Sequence, residues 1–152
     1  MLEVKKVTKK FGRKKVLDKV TFTANKGEIT CLIGINGVGK TTIMKAIMGL
    51  TPINGGEILI NGSKRTSKTY ESITFIPDTL TMLPHFTIAE AMDFMNDYYE
   101  KWNQERADEL LSFFKLDENV RISTLSKGNT AKVNLLLGLA IDADYVLMDE
   151  PF

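Results

Sequence analysis

The stretch Gly34-Ile35-Asn36-Gly37-Val38-Gly39-Lys40-Thr41 matches G-x-x-x-x-G-K-[ST] at every fixed position. Its chemistry demands a particular setting, a strand feeding the loop and a helix leaving it, and so constrains the fold. Glycines let successive backbone N–H groups curl around phosphate oxygens, and the helix that begins at the loop's end turns its positive end toward the same anion. In that setting Lys40 reaches the β- and γ-phosphates of a nucleotide, and the Thr41 hydroxyl ligates Mg²⁺. Asn36, Gly37, Val38 and Gly39 supply the backbone of the cradle and Thr42 continues it into the helix. The flanks meet the demand. Residues 28–33 read as a short buried strand holding Cys31, and residues 42–50 have helical periodicity.

The rest of the chain reads as α/β. Alternation over 2–8 and again over 16–23, broken at Gly12, predicts two antiparallel strands with a basic turn. Residues 57–60 predict a strand entering the Asn61-Gly62 turn, and 72–76 a strand stopped by Pro77. Thr87-Ile88-Ala89-Glu90 fits a capping box, with Ile88, Met92, Met95 and Tyr99 along one helical face. Further helices are expected at about 104–115 and 127–141, then a buried strand at 145–148.

Composition excludes several classes. The chain has 152 residues, 43% hydrophobic, with 20 Lys+Arg against 19 Asp+Glu. This is ordinary globular usage, and a net charge of +1 argues against a protein built to wrap nucleic acid. Residues 5–19 hold eight Lys or Arg against one acid, which reads as the solvated outer face of a hairpin. A single cysteine excludes a disulfide scaffold and a Cys-based zinc site. The N-terminus has no apolar run for a signal peptide. The longest apolar run, 135–141, is seven residues where a membrane helix needs about 20. A soluble, cytoplasmic protein is expected. Met44, Met48, Met92 and Met95 read as core filler, and His85, between Pro84 and Phe86, as a loop residue.

Two further motifs carry chemistry. Asp149-Glu150 ends the last apolar run, where an Asp can hold Mg²⁺ through its water shell and a neighbouring carboxylate can orient and deprotonate an attacking water. Leu125-Ser126-Lys127-Gly128-Asn129 precedes the last helix, where a Ser alone reads as a cap.

Together, in this order and spacing, these motifs make the chain resemble the nucleotide-binding subunit of ATP-binding-cassette (ABC) transporters over essentially its whole length. The resemblance rests on Gly34 to Thr41, on Leu125 to Asn129 as the family's L-S-G-G-Q signature, and on Leu147-Met148-Asp149-Glu150-Pro151. It implies a phosphate-loop NTPase core with an N-terminal antiparallel β subdomain and a helical insertion, lacking the C-terminal part of the fold. Its implied parts are residues 1–77 (β-rich, with the loop), 78–141 (helical) and 142–152 (final core strand). It implies ATP and Mg²⁺ as ligands, Thr41 and, through water, Asp149 as metal-holding groups, and Glu150 as the catalytic base. Ser126, Lys127, Gly128 and Asn129 would contact ATP held by a second ATPase subunit, in a homo- or heterodimer. Phe11 would stack on adenine; the other reading of Phe11 is a core aromatic in the hairpin.

Departures from the family pattern also matter. Lys127 and Asn129 replace the usual Gly and Gln of the signature, although Ser126 and Gly128 remain. Asp78 occupies the glutamine-loop position; an acid there cannot donate an amide hydrogen bond and resembles export subunits more than import subunits. The family's γ-phosphate histidine lies beyond the Asp-Glu-Pro run, so His85 is not its counterpart. The expected function is ATP hydrolysis powering transport, by export, of an unknown substrate through a separate membrane subunit at the cytoplasmic face. That partner would dock near residues 78–86, where Asp78 and the apolar Met82, Leu83 and Phe86 lie, and on part of the helix at 88–100, unless the apolar residues fold into the helical core. The chain alone would be inactive. Alternatives are a soluble relative acting on ribosomes or nucleic acid, or a fragment that binds nucleotide without turnover.

Overall fold

The computed structural model describes residues 1–150, apart from the side chains of Ser67 and Lys68; Pro151 of the Asp-Glu-Pro run and Phe152 lie outside the described residues. The chain forms two compact units that divide between Tyr70 and Glu71.

In the first unit, β1 (Leu2–Phe11) and β2 (Lys14–Ala24) pair antiparallel around Gly12-Arg13, as the alternation predicts. β3 (Gly55–Ile60) pairs with the other edge of β1, and β4 (Ser63–Lys64) follows the Asn61-Gly62 turn. The sheet order is β2-β1-β3-β4. Between β2 and β3 lies α1 (Lys40–Ile47), which buries Ile43, Ala46 and Ile47; a short helical turn, α2 (Ser67–Tyr70), ends the unit.

β1 does not keep one alternation throughout. Leu2 and Val4 are buried, then Val7 and Lys9, so the inward set changes parity midway. A bulge causes the change: Lys6 has φ 49°, and the pairing slips between Val4 and Val7 against β2 and between Lys5 and Thr8 against β3. Gly56, with φ 83°, faces the bulge; a Cβ there would lie 2.4 Å from the carbonyl oxygens of both Lys5 and Lys6. Only glycine admits that approach. A one-residue slip moves every later side chain to the opposite face.

In the second unit, β5 (Ile73–Ile76) and β6 (Tyr145–Met148) form a parallel pair. The helices α3 (Ile88–Tyr98), α4 (Gln104–Phe114) and α5 (Lys127–Leu139) enclose a core that includes Ile88, Met92, Ala107, Val133 and Leu136. Burying each large apolar side chain contributes roughly 1.5–3 kcal/mol. All three helices start on a side-chain cap. Thr87 and Glu90 form the expected capping box, Asn103 accepts from the Arg106 N–H, and Ser126 accepts from the Asn129 N–H. α5 is fixed to β5 at two points. Gly138 lies so close that a Cβ would sit 2.3 Å from Ile76 Cγ1, and Asn134 Nδ2 donates to the Pro77 carbonyl at 2.7 Å.

The structure corrects some expectations. Residues 28–33 form no strand: Ile29 and Ile33 are 101% and 92% exposed, and Cys31 is exposed rather than buried. A strand needs a ladder partner, and neither sheet pairs with this run among the described residues. Met82 and Phe86 pack against the helical core, so only Leu83 of that apolar trio is exposed. Of the four methionines, Met92 is buried while Met44, Met48 and Met95 are half-buried. Lys9 departs from the solvated face expected of the basic hairpin, at 7% exposure.

Candidate functional site

The loop before α1 leads into a helix start that no side chain caps. Gly39 is the N-cap of α1 at φ 111°, a left-handed geometry suited to glycine. The N–H groups of the first turn therefore have no side-chain acceptor, while the helix dipole favours negative charge there. Lys40 folds back over the loop, its Nζ donating to the carbonyls of Gly34 at 2.7 Å and Ile35 at 3.1 Å. Those acceptors are neutral, whereas an arriving phosphate adds charge–charge attraction to the hydrogen bond and so can take over the ammonium. Asn36, Gly37, Val38 and Thr41 are exposed, while Gly39, Lys40 and Thr42 are half-buried.

The same glycine holds the loop against the hairpin. A Cβ on Gly39 would lie 2.8 Å from Leu17 Cδ2 and 3.2 Å from the Val16 carbonyl oxygen. Leu17 pairs with Lys9, and Phe11 pairs with Lys14, so Phe11 stands at the hairpin end against which the loop rests. Phe11 is 53% exposed and is not a core aromatic.

The second unit gathers the acidic residues. The Asp149 N–H donates to the Ile76 carbonyl at 2.9 Å, which brings the carboxyl ends of β5 and β6 together. Asp78 and the Asp149-Glu150 pair thus emerge side by side, where open α/β sheets bind their ligands. Asp149 is 4% exposed, and no buried side-chain polar atom lacks a partner among the described residues. Asp78 and Glu150 are exposed. Glu150 has φ 45°, a left-handed conformation that strains a non-glycine residue.

Ser126 is not brought to this cluster. It lies two turns before Asn134 on α5, about 12 Å along the axis at 1.5 Å per residue. Its Oγ accepts from the Asn129 N–H at 3.2 Å. Lys127 and Gly128 are exposed beside it, Asn129 is half-buried, and nothing lies within 4 Å of where a Gly128 Cβ would be. His85 is an exposed loop residue, edge-on to Phe86. No group of three or more His, Cys, Asp or Glu is placed to hold a metal among the described residues. A magnesium ion would come with nucleotide phosphates, as Mg²⁺ commonly does.

Sequence reasoning misses three features: the bulge at Lys6, the burial of Lys9 and the Asn134 bond to Pro77. Only the bulge leaves a local signal. Val4-Lys5-Lys6-Val7 sets two polar residues between apolar ones, where an unbroken strand would have one.

A family model described as ABC transporter matches residues 17–152. The ribose import ATP-binding protein RbsA of Lacticaseibacillus paracasei is 34% identical, over 99% of this chain and 33% of its own length. The linearmycin resistance ATP-binding protein LnrL of Bacillus subtilis is 31% identical, over 99% of this chain and 51% of its own. Among solved structures, an ATP binding subunit of an ABC transporter superposes with a TM-score of 0.88 at 30% identity, covering 99% of this chain and 66% of that one. The chain thus spans about a third to a half of these curated relatives.

Proposed function

This chain belongs to the ABC transporter family, and on that footing we propose that it is the ATP-binding and ATP-hydrolysing part of a transporter. The observation that carries the reading is the uncapped start of α1, with Gly39 at the turn and Lys40 folded over the loop carbonyls. Loop N–H groups from Asn36 to Thr42 hold the β- and γ-phosphates, Lys40 neutralises them, and Phe11 stacks on adenine. Thr41 and, through water, Asp149 would hold the Mg²⁺ that accompanies the nucleotide, whose charge would offset that of the phosphates. The Glu150 carboxylate accepts a proton from a water whose oxygen bonds to the γ-phosphorus, while the bridging P–O bond breaks and ADP leaves with the bridging oxygen.

The exposed start of α5 supports a role in trans. Ser126 and Gly128, with Lys127 and Asn129, present a helix N-terminus to ATP held by a second ATPase subunit. A membrane subunit docks by Asp78 and Leu83, placing the assembly at the cytoplasmic face. Among the described residues, no helix is long and apolar enough to cross a membrane. Asp78 favours export, whereas the named relatives include both import and resistance proteins; transport assays in vesicles of both orientations decide the direction.

Titration calorimetry with ATP and Mg²⁺ tests the binding step. Lys40→Ala is expected to abolish binding with the circular dichroism spectrum unchanged, because the ammonium supplies the charge facing the phosphates. Unchanged affinity would remove the phosphate-loop assignment.

A further inference from the structure

Lys9 points inward from β1 at 7% exposure, and the phosphate chemistry makes no use of it. Its ammonium donates to the Pro52 carbonyl at 2.6 Å and lies 4.7 Å from the centroid of the Phe11 ring. Both contacts are to neutral groups. The register of β1 against β2 shifts between Lys9 and Lys10, and it is the cation–ring contact that brings the Lys9 and Phe11 side chains together. The bulge that Gly56 permits at Lys6 puts Val7 and Lys9 on the buried side with Leu2 and Val4.

We propose that Lys9 is a positioning residue that sets base recognition. Clamped by Pro52, its ammonium covers one face of the Phe11 ring and leaves the other for adenine. The inference rests on the reading of Phe11 as the adenine platform. A cation over one face is attracted by the ring quadrupole and polarises the π density toward itself. The outer face becomes less negative, so an electron-rich purine stacks on it with less repulsion. The cation also fixes the ring before the nucleotide arrives, which lowers the entropy lost on binding. Because the phosphates are held separately, by the loop resting on Leu17, the effect falls on the base alone.

The test is calorimetry on the full chain with Mg-ATP and, as a base-free probe, Mg-tripolyphosphate. Lys9→Met is expected to weaken ATP about three- to tenfold, in line with a desolvated cation–π contact, and to leave tripolyphosphate within twofold. Lys9→Arg keeps the cation and restores most of the loss. Phe11→Ala weakens ATP alone, and Lys9→Met then adds nothing further. Should Lys9→Met not fold, Lys9→Gln, which keeps a donor but not the charge, replaces it in the comparison with Lys9→Arg. If Lys9→Met weakens both ligands alike, Lys9 is merely structural and the proposal fails. If Phe11→Ala weakens ATP while neither uncharged Lys9 variant does, the proposal fails and the platform survives. If Phe11→Ala leaves ATP affinity unchanged, the platform reading itself is wrong, and Lys9's role goes with it.

Discussion

Two glycines on α5 should respond to the same substitution with opposite signs. Alanine in place of glycine inside a helix gains roughly 0.5–1 kcal/mol from backbone entropy alone. At Gly128 nothing lies within 4 Å of the new methyl, so the gain is kept, reduced by its place in the first turn to about 0.5 kcal/mol. At Gly138 the methyl would lie 2.3 Å from Ile76 Cγ1 and 2.6 Å from Ile76 Cδ1. Ile76 is 1% exposed and β-branched, so it has neither space nor an easy rotamer for retreat. Overpacking of this kind costs about 1–3 kcal/mol, and a clash with two atoms of a rigid side chain belongs in the range of about 2–3 kcal/mol. After the helix gain, Gly138→Ala should destabilise by about 1–2 kcal/mol. With a urea slope of about 2 kcal/mol/M, that lowers the midpoint by roughly 0.5–1 M. Adding Ile76→Val removes Cδ1, so the double variant should be less destabilised than the sum of the singles by at least ~0.5 kcal/mol. Gly128→Ala, meanwhile, should raise the midpoint while lowering ATP turnover in the parent protein, because its backbone belongs to the surface proposed to meet a second subunit's nucleotide. Equal or greater stability of Gly138→Ala would refute the close packing of α5 on β5.

Three other outcomes follow from single residues. In the parent protein, Glu150→Gln should keep ATP affinity while slowing phosphate release strongly, since an amide cannot accept a proton from water; turnover at the wild-type rate would show that Glu150 is not the base. Thr87→Ala removes one half of a reciprocal cap and should cost about 1 kcal/mol in thermal or chemical unfolding, with nucleotide affinity unaffected. Cys31 is exposed, so a thiol reagent should label the native protein at the rate of an unfolded control, and strong protection would mean that residues 28–33 are buried after all.

The features legible in the sequence are those decided within a few residues. A cap is read from four positions, and Thr87-Ile88-Ala89-Glu90 forms the box its composition predicts. The β1–β2 hairpin is equally local, with two alternating runs and a glycine between them. The run at 28–33 differs in kind. Continuous apolar residues are what a strand buried on both faces requires, but the run does not name its neighbours, and pairing is decided by partners far along the chain. Its composition is right for a strand, and the ladder is absent among the described residues.

Local rules also fail at three residues, Lys6 and Lys9 in the first unit and Glu150 in the second. Such breaks are expected where function competes with folding. Glu150 holds a left-handed backbone at the end of β6, beside the buried Asp149. Lys6 breaks the alternation of β1, and only Gly56 opposite makes room for it. Without that break Lys9 and Phe11 would turn to the other face of the sheet. A buried ammonium is costly unless its charge is met. At Lys9 the Pro52 carbonyl and the Phe11 ring meet it together, so the bulge, the lysine and the exposed aromatic make sense only as one arrangement.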